Sequence, residues 1–362
     1  MTEERISDSG DLKTGYGRYT KRKIAFIAVC VSAAVVSVGL SVSVGGRDIE
    51  FLQVYGTIFN HLFGTPPVQG TVEWMDDFIV WNVRIPRALF AAVAGAGLAV
   101  AGAVMQSVMK NPLADPYTTG ISSGACFGVA VAMVLGLTAL GDTGQYGIVL
   151  NAFIFALVPM AMIVAISPLS NRSPATLILA GVAISYLFNA LNTLLLVTTD
   201  ADTLAEVYIW QIGSFTDITW SSIPITAAIT AAGLAAISLL SKQLNLMTLG
   251  DGHAKSMGLD VDAVRIACLI IMSLMVSSVI AFAGIIGFVG LISPHIVRMV
   301  IDADNRFVIP ASAAFGAAFL MAADIASRAL SDLNTVPIGV VVSFVGAPIF
   351  LFLIISQKRR IW

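Results

Sequence analysis

Three arginines and one carboxylate have the types and spacings that recognise anions. Arg84 and Arg87 stand three residues apart, and Arg328 follows Asp324 by four, so each pair shares one face of a helix. A guanidinium is a planar fork that grips a carboxylate through two hydrogen bonds. The three arginines are therefore suited to pairing with carboxylates, with Asp324 orienting Arg328. Snorkelling toward lipid headgroups is the other common use of arginines at helix ends. The stretch Gly250-Asp251-Gly252-His253-Ala254-Lys255-Ser256 resembles a phosphate loop at first sight. The Walker pattern needs glycine directly before the lysine and a strand before the loop, whereas here Ala254 precedes Lys255 and a helix-length apolar run precedes the loop. ATP binding by this motif is excluded. Cys30, Cys126 and Cys268, like His61, His253 and His295, are scattered through the chain without metal-ligand spacing. With no HExxH, GxSxG or other convergent set, neither catalytic residues, a metal site nor a cofactor is expected.

The elements that must position these residues are set by hydropathy. The chain of 362 residues is 57% hydrophobic and only 12% charged, with a mean hydropathy of +0.89; about a quarter of residues are charged in soluble domains. This is an all-α polytopic membrane protein. A net charge of −2 gives no basic surface and no support for nucleic-acid binding. Ten apolar runs approach the roughly 20 residues that span a bilayer: 24–44, 88–109, 117–137, 148–168, 175–197, 221–241, 264–284, 286–301, 307–330 and 337–356. The seventh and eighth are parted only by Ala283-Gly284-Ile285-Ile286-Gly287, so one of them is expected to be short or broken. Ile49 to Phe63 reads as a short interfacial helix. The organisation predicted is a cytoplasmic N-terminal tail over 1–23, a transmembrane domain over 24–357 and a cytoplasmic tail over 358–362.

Orientation follows from the basic residues. With both termini cytoplasmic, ten spans put sixteen of the twenty lysines and arginines inside and leave only Arg47, Arg84, Arg87 and Arg328 outside, as the positive-inside rule requires. The largest inside connection, 243–262, carries glycines, Met257 and Leu259. It reads as a partly apolar knob suited to a groove on a soluble partner, although an ordinary polar loop fits the same periodicity. Asn189 and Asn192 in the fifth span suit either a hydrophilic path or interhelical hydrogen bonding.

Several of these residues together resemble the FecCD family, the permease subunits of type II ABC importers of ferric siderophores, haem and cobalamin. The resemblance rests on Arg84-Ile85-Pro86-Arg87, Gln106, Asn111-Pro112-Leu113-Ala114-Asp115-Pro116, Leu179-Ala180-Gly181-Val182-Ala183, the run from Gly287 through Ser293-Pro294-His295 to Arg298, Ala323-Asp324-Ile325-Ala326-Ser327-Arg328, Pro337-Ile338-Gly339-Val340 and Gly346-Ala347-Pro348. It covers about residues 50–356. It implies a BtuC-like bundle of ten helices, acting in membrane lipid as a homodimer with two ABC ATPase subunits and an extracytoplasmic substrate-binding protein. It further implies that Arg84, Arg87 and Arg328 receive glutamates of that binding protein. Gly250, Ala254, Ser256, Met257, Gly258 and Leu259 match the element that docks on the ATPase, and Asn111 and Leu113 match the cytoplasmic gate. Ferric siderophore, haem and corrinoid remain open as cargo. The competing transport reading is an ion-coupled secondary transporter with Asp324 as its ion site.

Overall fold

The computed structural model describes residues 4–44, 49, 51–64, 72–141, 144–166, 174–330 and 336–357. The expected 358–362 tail, with Arg47 and Arg172, lies outside the described residues. Among the described residues all regular structure is helical, as expected where lipid offers no partners to backbone N–H and C=O groups. Among the described residues seven helices are long and apolar enough to cross a membrane, and three shorter apolar helices bring the apolar helices to the ten expected from hydropathy.

Helix α1 (Glu4–Ser43) begins twenty residues before the first expected span, so the helix runs through most of the segment read as a tail. Helix α2 (Phe51–Phe63) is the short helix expected there. Helices α3 (Val72–Phe78) and α4 (Ile85–Met109) are joined without a break by a π-helical turn, Ile79–Arg84. Pro86 explains that turn: it has no N–H for the carbonyl one turn back, and the ladder widens so that Ile85 N–H reaches Val80 O instead.

The first of the shorter apolar helices, α5 (Ile121–Leu135), leads to α6 (Gln145–Ile166), α7 (Pro174–Val197), α8 (Ala201–Ile212) and α9 (Ser222–Leu239). Two short helices, α10 (Ser241–Thr248) and α11 (Asp251–Ser256), fill the 243–262 connection. The chain ends in α12 (Val261–Ala283), α13 (Val289–Ile301), α14 (Asn305–Ala329) and α15 (Ile338–Gln357). The glycine-rich separator does break the helix. Left-handed Gly284 stops α12, and α13 has only 13 residues, about 20 Å against a hydrocarbon core of roughly 30 Å.

Helix α4 is the central post, packed against α9, α12, α13 and α14. Close approach depends on paired glycines: a Cβ on Gly102 would lie 1.7 Å from Gly290 O of α13, and one on Gly95 2.2 Å from Gly316 O of α14. Lipid gives helices no hydrophobic reason to associate, so small residues that let backbones touch are what hold such bundles. Helix α1 is fastened to the α13–α14 connection, where the Tyr19 hydroxyl donates to Asp302 and Lys23 sits 4.3 Å from the Tyr19 ring and 4.9 Å from that of Phe307.

Candidate functional site

The chemistry-bearing residues gather at the two ends of α4, whose 25 residues span about 37 Å. At its start, Arg84, Arg87 and Arg328 come together, as their shared reading requires, but they do not stand in solvent: they are 5%, 6% and 8% exposed. Arg87 Nε donates to Asp324 Oδ1 at 2.6 Å, and Arg328 Nη2 contacts Asp324 Oδ2 at 2.9 Å. Both guanidinium groups thus share one fully buried carboxylate, which orients Arg328 as expected and Arg87 as well.

Other donors of Arg84 and Arg328 cap α1. Arg84 Nη1 donates to Val42 O at 2.8 Å and Ser43 O at 3.0 Å, and Arg328 donates to Val44 O at 2.8 Å and to Ser41 Oγ at 2.6 Å. A helix C-terminus leaves its last carbonyls without intrahelical partners and carries partial negative charge; two arginines supply both needs. Within the cluster itself three cations face one carboxylate, while Asp77 of α3 is held by His61 close by. Asp324 is enclosed and already bound by two guanidinium groups, so it offers a coupling ion no coordination site, and the secondary-transporter reading loses its candidate residue.

Beside this cluster, His61 contacts Asp77 at 2.7 Å and stacks on Trp81 with ring centres 4.1 Å apart. Trp220 Nε1 donates to Trp81 O, a carbonyl of the π-helical turn, at 2.8 Å. This brace fixes the turn that aims Arg84.

At the far end of α4, Lys110 adopts a left-handed conformation, φ 51°, and ends the helix. Asn111 follows, its Oδ1 accepting the Leu113 N–H at 2.9 Å, so the two expected gate residues form one small turn with Leu113 exposed. Helix α11 lies beside it. Ala254 is fully buried in the core and Leu259 packs against that core, while Met257 is 64% exposed, alongside exposed Ser256 and Gly258. Of the six residues expected to face an ATPase, Ala254 and Leu259 instead seat the element. Gly250 and Gly258 take left-handed conformations, φ 114° and 83°, that bulkier residues resist.

Three residues of this end escaped the sequence reading. Lys110 Nζ contacts Asp251 Oδ1 at 2.6 Å, and Arg265 of α12 contacts Asp251 Oδ2 at 2.8 Å. Burial raises the Asp251 carboxyl, but the hydrogen bonds from Lys110 and Arg265 outweigh it and hold the group below the ordinary carboxylate value. Alongside, Arg298 ties α13 to α4 through Ala103 O and Ser107 Oγ, and Gln106 donates to Leu291 O.

The two asparagines of α7 part company: Asn192 is buried and Asn189 exposed. Helix α7 presents Tyr186, Leu194 and Val197 outward, and α15 presents Phe344, Phe352 and Ile355. A cavity of about 710 Å³ lies between the end of α8, the α12–α13 break and α15, lined by Gln211, Ile285, Gly339, Ser343 and Phe344 among others. Among the described residues its walls are mostly apolar, with Gln211 and Ser343 the polar exceptions and no ionisable side chain.

Comparison with known proteins gives concordant results. A family model described as the FecCD transport family matches residues 25–356, a longer reach than the 50–356 expected from motifs. The hemin transport system permease protein HmuU of Yersinia pestis is 36% identical over 284 residues, 78% of this chain and 84% of its own. The cobalamin import system permease protein BtuC of Halobacterium salinarum is 35% identical over 295 residues, 81% of this chain and 78% of its own. A solved structure described as an inward-facing conformation of a metal-chelate type ABC transporter superposes with a TM-score of 0.79 at 28% identity, covering 91% of this chain and 98% of that one.

Proposed function

The chain belongs to the FecCD transport family, and from that premise we propose that it is the multi-pass permease subunit of an ATP-driven importer in the cytoplasmic membrane, moving a metal chelate delivered by a binding protein. The cargo class is ferric siderophore, haem or cobalamin. ATP hydrolysis belongs to a separate chain. The observation that carries this reading is the division of labour along α4: a positive cluster of Arg84, Arg87 and Arg328 at one end and the seated, partly exposed α11 at the other.

In this reading both termini are cytoplasmic. The three arginines receive acidic residues of the binding protein; α11, with Met257 and the glycines around it, docks on the ATPase; Asn111 and Leu113 close the cytoplasmic mouth. A second copy of the chain covers the apolar faces of α7 and α15, and the path runs between the copies, along the neutral cavity beside Gln211 and Ser343. Closure of the ATPase dimer moves α11 and tilts the central helices, exposing the path alternately to each side.

The test is reconstitution in proteoliposomes with the cognate ATPase and binding protein, measuring uptake of ferric hydroxamate, haem and cyanocobalamin. Uptake of one class, dependent on internal ATP and on both partners, is expected. Uptake driven by an ion gradient without the ATPase would overturn the reading.

A further inference from the structure

Helix α11 is a six-residue element set between two glycines held in left-handed conformations, Gly250 and Gly258. Short elements bounded in this way swing easily, so what matters is how α11 is tied to the bundle. Ala254 supplies one apolar contact. Lys255 adds a longer, exposed tie to Asp262 of α12 at 3.4 Å, but it is Asp251 that reaches two long helices: each of its oxygens holds a cation, Lys110 at the end of α4 and Arg265 near the start of α12. Arg265 is itself braced by Asp262 at 3.4 Å, and its side chain is only 3% exposed.

Lys110 is the more telling partner. It is the left-handed cap of the central helix, and Asn111, the start of the gate turn, follows it directly. Partly exposed ion pairs such as Lys110–Asp251 add little to folding stability. Their value lies in fixed geometry, and this one fixes α11 to the residue directly before the Asn111–Leu113 turn.

We propose that Asp251 is a positioning residue that transmits movement of α11 to the ends of α4 and α12 together, so that the gate turn at Asn111–Leu113 follows the ATPase. The inference rests on the reading of α11 as the ATPase-docking element. A carboxylate gripped from two helices moves both or neither, which makes the transmission a two-helix event.

The left-handed backbone of Lys110 provides a clean variant. Glycine is the residue best suited to that cap, so Lys110→Gly relieves backbone strain while deleting the cation. The experiment uses the permease assembled with its ATPase and carrying Leu113→Cys, and reads the rate of labelling by a water-soluble maleimide with and without ATP. The native cysteines Cys30, Cys126 and Cys268 are buried and give little background. ATP is expected to change the labelling rate in the parent. Asp251→Ala and Lys110→Gly should each shrink that change, roughly tenfold for a coupling of ordinary strength, while the assembled complex continues to hydrolyse ATP. Asp251→Glu should restore it. A parent-like response in both variants overturns the inference, as does a parent whose labelling ignores ATP. Cross-linking from Met257→Cys to the ATPase separates the two readings: a cross-link with unchanged gating in Asp251→Ala refutes only the transmission role, and no cross-link refutes the docking reading together with it.

Discussion

Arg87 donates to Asp324 across 237 residues of chain at 2.6 Å, and the same carboxylate holds Arg328 through its other oxygen. A fully buried anion between two guanidinium groups is stable only while the set is complete, because removing one partner leaves the others charged and unpaired. Asp324→Asn is therefore expected to lower stability by about 3–5 kcal/mol, the usual range for breaking a buried pair from one side. Thermal unfolding of the detergent-solubilised protein checks this. A melting temperature equal to that of the parent would show that the arginines find other partners.

The same arginines are assigned to the binding protein, and their burial sharpens that prediction. Arg84 and Arg328 already cap the carbonyls of α1 from Val42 to Val44, so an incoming carboxylate must compete with a helix terminus. Reversing both, Arg84→Glu with Arg328→Glu, should weaken capture of the binding protein by at least tenfold, in line with the roughly 2–5 kcal/mol lost when one side of a buried charged contact is removed. Because Arg328 is one of the two partners of buried Asp324, co-purification of the ATPase, which docks at the opposite end of α4 in the proposed assembly, is the control that the variant still folds. Arg84→Ala, which leaves that pair complete, should weaken capture in the same direction. Equal capture in a detergent pull-down would remove the arginines from the docking surface.

The ten apolar helices were legible because lipid and protein interior both demand apolar side chains, so hydropathy finds a helix whichever it faces. The break after α12 was legible too, in Gly284 and Gly287. The arrangement of the arginines was not. Their acceptors at Val42, Ser43 and Val44 are backbone carbonyls, which leave no mark in a sequence, and Arg87 meets its carboxylate only through the packing of α4 on α14. The fork at Asp251 was hidden for the same reason, since Lys110 lies 141 residues away. Helix α1 extends back to Glu4 through a segment holding Gly10, Gly15 and Gly17, with no apolar periodicity to announce it.

Glycine contacts predict opposite outcomes for one substitution at two sites. At Gly102 a methyl group would collide with the backbone of Gly290, which cannot rotate aside, so Gly102→Ala should force α4 and α13 apart and cost at least the roughly 1–3 kcal/mol of ordinary overpacking. At Gly252, in α11, a Cβ meets nothing within 4 Å. There alanine gains helix propensity, and Gly252→Ala should be neutral or stabilising by up to about 1 kcal/mol. Melting temperatures of the two variants, measured side by side, decide the matter; a harmless Gly102→Ala would mean that the glycine seam does not hold the bundle.

Asp304 gives a pH dependence of definite sign. It caps the start of α14, accepting the Arg306 N–H at 3.1 Å and pairing with the Arg306 guanidinium at 2.7 Å, while Asn245 of α10 donates to it at 2.8 Å. Burial raises its carboxyl, but these hydrogen bonds and the Arg306 charge outweigh it and bring the group from 3.8 down to about 2. A carboxylate depressed in the folded state contributes stability that is fully present above its unfolded value and is lost as pH falls through the folded one. The contribution, at most about 2 kcal/mol for a shift of this size, should hold from neutrality to about pH 4 and fade between there and pH 2. Asparagine retains the helix cap, so Asp304→Asn isolates the charge. The variant should unfold more readily than the parent at pH 7, and the two stability curves should converge as the medium approaches pH 2. Parallel curves across that interval would mean that the Arg306 and Asn245 contacts stabilise the charged and neutral forms alike.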